Sequence, residues 1–456
     1  MIERLSSGNS RVDEVLGGGL VANAINLIIG PPGSGKTILS EEYLFHNATQ
    51  ARPGLFLSTV SEPFDKILRY GESLTFFDAD AIGSTVFYDD LGPTLVTRGL
   101  EGLSEKIGSL MKEFQPGVLV IDSFKAIGAF AADEAEYRRF LHDLAGRLTT
   151  TVTNTFWIGE YQRHESNGAE FAVADAIIAM DTNRVAEREV RVLQVMKLRG
   201  SGFASGEHAY RVTSSGISIF PRLADRQDAS AYILRAERDS TGIAALDEAL
   251  GDGYWEGSST LVAGPTGVGK TLMGLHYAFA AAREGRPAII ATFQENAIQL
   301  GRVASGFGWS LDDPCISMMS RSPVDLHIDE WAYDLLHLIE ETDATRVVVD
   351  SLGDLLLAAP DQVRFRELIH SLTQRCGRRG VSLFFTLEIA ELFNATSISP
   401  VAVNDNVVVL QYYRTGTELR RSLTVLKTRG SSHTPEVRDF HIGRDGLTLG
   451  EPIDVA

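Results

Sequence analysis

Cysteine is nearly missing from this chain, since 456 residues contain only Cys315 and Cys376. Two cysteines cannot build a disulfide scaffold or a four-cysteine zinc site, so we expect small buried side chains in a reducing compartment. Long apolar runs are missing too: none approaches the ~18 residues that cross a bilayer. The charged start MIERLSSGNS lacks the apolar stretch of a signal peptide. The sequence therefore predicts a cytoplasmic protein with no membrane association.

Basic residues are in the minority. The chain has 42 Lys and Arg against 60 Asp and Glu, a formal net charge of −18. Proteins that coat nucleic acid or an anionic membrane need a basic face, so this balance disfavours both kinds of partner. Residues 1–225 hold 21 basic and 29 acidic residues, and residues 226–456 hold 21 and 31. Neither half therefore has the excess of basic residues that would predict a surface for nucleic acid.

The chain repeats three motifs in the same order, at offsets of 234, 228 and 230 residues. Such a period is far above that of solenoid repeats, so each copy is a whole domain. We predict a tandem duplication with domains at 1–225 and 226–456, joined within the polar stretch 222–236. The motif pairs are GPPGSGKT (30–37) with GPTGVGKT (264–271), VLVIDS (118–123) with VVVDS (347–351), and MKLRGS (196–201) with LKTRGS (426–431).

Short apolar runs alternate with helical stretches, such as Gly102–Phe114, in each half. Runs such as Ile25–Ile29, Leu55–Leu57 and Val118–Ile121 are typical of strands buried on both faces of a parallel sheet. Later strands around Val190–Met196 and Val212–Phe220 follow closely enough to predict an antiparallel edge. The predicted fold class is α/β, with a mainly parallel β-sheet flanked by helices in each of the two domains.

Each half carries a Gly-x-x-x-x-Gly-Lys-Thr loop between an apolar strand and a helical stretch. Glycines let the backbone curl around phosphate oxygens, the lysine neutralises the β- and γ-phosphates, and the threonine hydroxyl ligates Mg²⁺. We therefore predict two nucleotide sites. Their residues are Gly30, Pro31, Pro32, Gly33, Ser34, Gly35, Lys36 and Thr37, and Gly264, Pro265, Thr266, Gly267, Val268, Gly269, Lys270 and Thr271.

Two aspartates end apolar strands downstream of these loops. Asp122 and Asp350 stand where a nucleotide enzyme needs a carboxylate for Mg²⁺. The alternative is that each acid caps the following helix, a position that Asp and Ser favour. The repetition of the apolar run and Asp-Ser in both halves favours the metal role.

Taken together, the Leu-Gly-Gly-Gly-Leu stretch at 16–20, the two loops, the strand-terminal Asp-Ser and the closing Lys-x-Arg-Gly-Ser resemble the KaiC family of RecA-like ATPases over essentially the whole chain. The resemblance implies two tandem RecA-like P-loop domains that bind ATP with Mg²⁺ and hydrolyse ATP. It also implies a homohexamer of two stacked rings, with ATP held between neighbouring subunits.

The resemblance further implies that the cations of the closing motif reach the nucleotide of the adjacent subunit. Cations supplied across an interface would stabilise charge on the transferring phosphoryl group. The alternative is a solvated basic turn. In the second domain this motif continues as Lys-x-Arg-Gly-Ser-x-His, and its histidine, His433, is expected near the nucleotide. The cations are Lys197 and Arg199 in the first domain and Lys427 and Arg429 in the second.

The sequence departs from the family at the two adjacent glutamates that follow the second strand. In the second domain Gln294 replaces the first, and since an amide cannot take a proton from water, Glu295 is the candidate base. In the first domain Val60 and Ser61 hold these positions, and Glu62 comes one place later. Glu62 either serves through a one-residue shift or lies on the surface, which would leave a weak ATPase.

A second departure concerns the hydroxyl pair that accepts phosphate in the family's kinases. Val401 and Ala402 stand there, and Ser397 and Ser399 are displaced by two to four residues. In-line transfer needs reacting atoms ~3–3.5 Å apart, so such a displacement is large. We therefore predict an ATPase ring that couples nucleotide state to a protein signalling partner without clock-type autophosphorylation. The alternatives are a serine/threonine autokinase of a circadian-clock-like system and, with less support, a DNA-acting RecA-like motor, which would need a basic surface.

Overall fold

The computed structural model describes residues 3–59, 69–162, 165, 168–185, 188–224, 235–389, 403–431, 433–434, 436–444 and 446–453. Its contacts divide the chain into two compact units, Met1–Arg222 and Leu223–Ala456. Several predictions fall on residues outside the described ranges. These are the boundary between residues 225 and 226, Val60, Ser61 and Glu62, and Ser397, Ser399, Val401 and Ala402.

Unit 1 contains eleven strands and six α-helices among its described residues. The strands are β1 Arg4–Leu5, β2 Leu20–Val21, β3 Ile25–Ile29, β4 Gly54–Ser58, β5 Val86–Asp90, β6 Val118–Asp122, β7 Asn154–Gly159, β8 Ala176–Val185, β9 Arg188–Leu198, β10 His208–Thr213 and β11 Gly216–Phe220. The helices are α1 Ser10–Val15, α2 Lys36–Asn47, α3 Gly92–Phe114, α4 Phe124–Ile127, α5 Glu134–Thr149 and α6 Ala169–Val173.

Unit 2 repeats this succession. Its strands are β12 Arg238–Asp239, β13 Tyr254–Trp255, β14 Ser259–Gly264, β15 Ala288–Thr292, β16 Ile316–Ser320, β17 Arg346–Asp350, β18 Ser382–Glu388, β19 Asn406–Thr415, β20 Glu418–Thr428, β21 Val437–Gly443 and β22 Gly446–Pro452. Its helices, counted over the described ranges, are α7 Ala244–Ala249, α8 Lys270–Arg283, α9 Ala297–Gly306, α10 Ile328–Thr342, α11 Leu352–Ala358 and α12 Gln362–Arg379.

Each unit is built on one nine-stranded sheet. In unit 1 the order is β11-β10-β9-β8-β3-β7-β6-β4-β5, and in unit 2 it is β22-β21-β20-β19-β14-β18-β17-β15-β16. Six neighbouring strands in each sheet, from β8 to β5 and from β19 to β16, run parallel. The remaining three pair antiparallel. The predicted α/β class, with a parallel sheet and an antiparallel edge, is confirmed in both units.

The central strand of each sheet is buried on both faces. In β3, Leu27 belongs to one apolar cluster and Ile28 to the cluster on the opposite side. In β14, Leu261 and Val262 divide in the same way. Successive strand residues point to opposite faces, so a continuous apolar run requires a core on each side. The helices that supply those cores also position the loops at the strand ends.

Two predicted element boundaries are corrected by the structure. The run Val212–Phe220, expected as one strand, is a hairpin of β10 and β11 that turns just before Gly216, whose φ is +99°. Glycine adopts this left-handed backbone without a steric penalty, so a turn fits inside an apolar run. Helix α3 begins ten residues before the expected start at Gly102, with a non-helical Gly99 inside it. Within the described ranges, every helix is too short or too polar to span a bilayer.

The two units tie the helix after the phosphate loop to their terminal hairpin with different residues. Glu42 Oε1 accepts a 2.5 Å hydrogen bond from Ile217 N, whereas His276 Nε2 accepts a 2.9 Å bond from Leu447 N. Burial raises the pKa of Glu42 to about 7, although the Ile217 N–H opposes the shift. Burial lowers the pKa of His276 to about 4. An acid and an imidazole therefore perform one structural task with opposite responses to pH.

Candidate functional site

The first phosphate loop begins where β3 ends. Gly30, Gly33 and Gly35 have φ values of +154°, +74° and +88°, and Lys36 Nζ donates a 2.8 Å hydrogen bond to the Pro31 carbonyl. A Cβ at Gly30 would lie 1.9 Å from the Met180 carbonyl oxygen, but one at Gly33 would meet nothing within 4 Å. Gly30 is thus required for packing, whereas Gly33 faces open space of the kind that phosphate oxygens fill.

The second loop repeats this arrangement at the end of β14. Gly267 and Gly269 have φ values of +74° and +120°. Lys270 Nζ donates to the carbonyls of Gly264 and Pro265, both at 2.9 Å. Helices α2 and α8 begin at the two lysines, so the N–H groups of each first turn point toward the loop. Such helix starts attract anions.

Threonine and aspartate oxygens meet beside each loop. Thr37 Oγ1 donates to Asp122 Oδ2 at 2.7 Å, and Thr271 Oγ1 donates to Asp350 Oδ2 at 2.6 Å. The N-cap residues of helices α4 and α11 are Ser123 and Ser351, so neither aspartate occupies the helix-cap position considered above. A hydroxyl and a carboxylate are hard oxygen ligands that suit Mg²⁺, which also keeps water and phosphate ligands. Both sites therefore fit the expected ion.

An open cavity of about 730 Å³ surrounds the first loop. This volume lies within the range of sites for small molecules and cofactors. Its acids are Asp122 and Glu160, and its cations are Lys36, Lys125 and Arg191. The lining also includes Pro32, Gly33, Gly35, Thr37, Ile38, Ser58, Ser123, Ala126, Gly159 and Val212.

A glutamate lies close to each phosphate-loop lysine. Burial lowers the pKa of Lys36, and the carboxylates of Glu160 and Asp122 oppose that shift. Burial likewise lowers the pKa of Lys270, against the carboxylates of Glu388 and Asp350. Each lysine therefore has two nearby acids that favour its charged form.

Gln294 and Glu295 differ in their surroundings. The amide Nε2 of Gln294 donates to both carboxylate oxygens of Asp354, at 3.1 and 3.3 Å. Glu295 is half-buried, and its Oε2 is buried with no hydrogen-bond partner among the residues that the structure describes. Burial, and then the charge of Asp350, raises the pKa of Glu295. Among the described residues, Glu295 therefore has an oxygen without a partner on the Asp350 side.

The closing-motif cations lie at the opposite end of the central strand from the phosphate loop. Lys197 Nζ donates to the Phe171 carbonyl at 3.1 Å, and Arg199 Nη1 contacts Asp175 Oδ1 at 3.2 Å. Asp175 Oδ2 in turn accepts from the N–H of Ile25, the first residue of β3. Lys197 and Arg199 are thus positioned at the amino end of the strand whose carboxyl end forms the loop.

Unit 2 repeats this placement. Lys427 Nζ donates to the Asn404 carbonyl at 2.5 Å, and Arg429 Nη1 contacts Asp405 Oδ1 at 3.2 Å. Asp405 Oδ2 accepts from the N–H of Ser259, where β14 starts. Burial, and then the neighbouring arginine, lowers the pKa of Lys427, as it does that of Lys197.

The glycine-rich stretch of each unit, residues 16–20 in unit 1 and 250–254 in unit 2, packs against the closing motif of that unit. A Cβ at Gly17 would lie 2.2 Å from the Gly202 carbonyl oxygen. In unit 2, Arg238 donates to the carbonyls of Leu250 and Gly253 and, at 2.8 Å, to Ser431 Oγ. The residue after His433 donates its N–H to Ala249. Within its own unit, His433 therefore lies on the side of these glycines and Arg429, away from the phosphate loop.

Sequence reasoning missed Glu160, Glu388 and Arg191. The signal for the two glutamates was available: they are 228 residues apart, the offset of Asp122 and Asp350, and each comes at the end of an apolar run. Arg191 carried no such local signal. It reaches the cavity because β9 pairs with β8 across the sheet.

The sequence model of the ATPase family KaiC matches this chain twice, over residues 5–224 and 240–453. The chain belongs to the KaiC family. It is 28% identical to the circadian clock protein KaiC3 of Synechocystis sp., over 99% of this chain and 92% of the relative. The circadian clock oscillator protein KaiC of Rippkaea orientalis is 28% identical (96% and 87% covered), and that of Parasynechococcus marenigrum 29% (98% and 90%).

Membership of the KaiC family makes this chain an ATPase with two ATP-binding units. It also accounts for the joint occurrence of the glycine-rich stretch and the closing motif, which pack together in each unit. The two KaiC repeats share strand order and loop geometry but differ in the residues that surround them.

Proposed function

We propose that this KaiC-family ATPase acts as a homohexameric ring that hydrolyses ATP between neighbouring subunits and passes its nucleotide state to a protein signalling partner. The main support is the position of Arg199 and Arg429. Each lies at the amino end of the central strand, whereas the phosphate loop of the same unit lies at the carboxyl end. Relatives named as circadian clock proteins support a signalling role. The expected cytoplasmic location and the lack of nucleic-acid binding stay predictions.

The geometry argues that these cations act on another subunit. The five residues of β3 separate the Asp175 end from the loop that starts at Gly30. At ~3.3 Å per residue the strand is ~16 Å long, farther than an arginine side chain extends. Arg199 and Arg429 are also largely exposed, at 57% and 66% of their side chains. They are therefore available to complete a site on a neighbour, and a head-to-tail interface of this kind forms a ring when the rotation between subunits closes.

Within each site the roles follow from position. Thr37 with Asp122, and Thr271 with Asp350, would hold Mg²⁺, which would neutralise phosphate charge when bound. Lys36 and Lys270 would replace their carbonyl contacts with contacts to phosphate oxygens. In unit 2, Glu295 is the proposed acceptor of the water proton, because its Oε2 has no partner within the described part of the chain.

We also propose that the chain does not phosphorylate itself. The proposal rests on Val401 and Ala402, which have no hydroxyl to accept a phosphoryl group. Incubation with γ-labelled ATP tests it directly: we expect labelled inorganic phosphate and no labelled protein. A labelled protein band would instead support the autokinase alternative.

Sedimentation velocity and ATP turnover, measured together, test the ring. With ATP and Mg²⁺ we expect a hexamer, and with Lys36→Ala plus Lys270→Ala we expect turnover to be lost. Lys106→Ala is the matched control, because Lys106 forms a surface ion pair with Asp89 away from the loops. Monomers in ATP and Mg²⁺ would refute the ring and the shared site together.

A further inference from the structure

A glutamate directly follows the strand beside the phosphate-loop strand in both units. In unit 1, β7 runs parallel to β3 with Gly159 opposite Ile29, so Glu160 comes level with the start of the loop. In unit 2, Glu388 is itself the register partner of Gly264. Parallel strands present their carboxyl ends at one edge of the sheet, so both glutamates lie beside the phosphate loop of their own unit.

The backbone at these positions is held in place. Lys125 Nζ donates a 2.7 Å hydrogen bond to the Glu160 carbonyl. In unit 2, the N–H of Ile389 donates to the carbonyl of Gly264, which ties the residue after Glu388 to the loop itself. A carboxylate on an anchored backbone keeps its distance to the loop, as a catalytic group requires.

The carboxylate of Glu160 is available to a ligand. Among the described residues, Glu160 and Asp122 are the two acids that line the first cavity, and Asp122 already accepts the Thr37 hydroxyl. The Glu160 side chain is exposed, and among the described residues no hydrogen-bond donor contacts its carboxylate. Its charge reaches Lys36, the residue expected to face the γ-phosphate. Glu160 is therefore positioned at the phosphate end of the site with its oxygens unoccupied.

Unit 1 also needs a side chain that can accept a proton from the attacking water. Val60 and Ser61 occupy the positions of the glutamate pair that the family resemblance led us to expect. Neither side chain can accept a proton from water at neutral pH. Unit 2 depends less on such a proton acceptor, because Glu295 has an oxygen on the Asp350 side without a partner among the described residues.

We infer that Glu160 is a catalytic residue of unit 1, which orients the water that attacks the γ-phosphorus of ATP and takes its proton. The inference rests on the ATP hydrolysis of the proposed function. The water oxygen forms a bond to the γ-phosphorus, and the bond from that phosphorus to the β,γ-bridging oxygen breaks. The proton moves to the Glu160 carboxylate, ADP and inorganic phosphate leave, and the proton then passes to solvent. Glu388 holds the same position in unit 2, where it orients the water and Glu295 accepts the proton.

The test measures turnover in unit 1 alone, in full-length chain carrying Lys270→Ala to silence unit 2. Glu160→Gln keeps size and removes the charge, and we expect a roughly 100-fold lower kcat, the usual contribution of a general base. We expect ATP to bind with unchanged or tighter Kd, because a negative charge beside the γ-phosphate is lost, and ADP binding to stay unchanged. Glu134→Gln is the matched control, since Glu134 pairs with Arg138 on the exposed face of α5, away from the cavity. Glu62→Gln tests the competing base.

The outcomes separate this inference from the proposed function. A 100-fold loss in Glu160→Gln with ATP binding kept, and a smaller loss in Glu388→Gln tested with unit 1 silenced by Lys36→Ala, would support the inference. Turnover unchanged in Glu160→Gln but lost in Glu62→Gln would overturn it and leave the ATPase ring intact. Loss of ATP binding together with thermal stability in Glu160→Gln would also overturn it, by showing a structural role. No hydrolysis by the unmodified chain would refute both.

Discussion

Removing Arg429 should abolish ATP turnover in unit 2 at little cost in stability. Its contact with Asp405 is a 3.2 Å ion pair with the arginine 66% exposed, and such pairs contribute about 0–1 kcal/mol. A cation supplied to the γ-phosphate from a neighbouring subunit, by contrast, raises kcat about 1,000-fold or more. In chain that carries Lys36→Ala to silence unit 1, we therefore expect Arg429→Ala to shift the unfolding midpoint slightly and to remove nearly all hydrolysis.

A mixing assay shows whether the cation acts between subunits. Chains with Lys270→Ala keep Arg429 but lose their own loop, and chains with Arg429→Ala keep the loop but lose the cation. In an equal random mixture, about a quarter of the sites pair an intact loop with an intact neighbouring arginine, as a head-to-tail ring requires. We expect the mixture to recover about a quarter of the turnover of the Lys36→Ala parent, although each variant alone is inactive.

Two results would refute this reasoning. Full turnover in Arg429→Ala would show that the arginine is only part of a solvated turn. No recovery in a mixture that sedimentation shows to contain mixed oligomers would place the arginine in the site of its own chain, contrary to the ~16 Å length of the central strand. Arg420→Ala is the control, because Arg420 pairs with Glu418 at the far end of β20.

Further predictions follow from the loops and helix ties. Gly30→Ala should unfold unit 1 in thermal scans, because its Cβ would lie 1.9 Å from a carbonyl oxygen. Gly33→Ala should instead fold, and unit 1 should lose ATP binding in titration calorimetry. Equal thermal stability of the two variants would contradict this expectation. The stability from Glu42 is full below pH 4.5 and is lost as the pH rises through about 7, so unit 1 should lose about 3 kcal/mol between pH 5 and 8. The stability from His276 is lost only as the pH falls from 6.5 through about 4. Hydrogen exchange of each unit at pH 5 and 8 checks the difference, and an unchanged slope in Glu42→Gln would contradict it.

Much of the architecture could be predicted because it is encoded in short stretches. An apolar run followed by glycines and Lys-Thr specifies strand, loop and helix within some twenty residues, and the same run ending in Asp-Ser places Asp122 at the sheet edge that carries Thr37. Chain order and parallel pairing then bring the two side chains together. Repetition at nearly constant offsets made the division into two units evident.

The rest depended on contacts between distant residues. Asp175 lies between alanines, and its pairing with the start of β3 joins positions 150 residues apart. The hairpin at Gly216 was hidden because its two strands read as one apolar run. Glu160 ends an apolar run in the sequence, but its position beside the phosphate loop depends on the register of β7 against β3, which the sequence alone does not give. The location of Arg199 away from its own loop likewise required the sheet order.

The central strand of each unit sets a fixed distance between two sites. One end of β3 carries the phosphate loop, and the other end holds Asp175 and, through it, Arg199. Hydrogen bonds to β7 and β8 on both sides prevent the strand from stretching or bending alone. In the proposed ring, a shift of one loop on losing its phosphate would displace the cation at the next site along the same axis. Hydrolysis would then pass from subunit to subunit in a fixed direction around the ring.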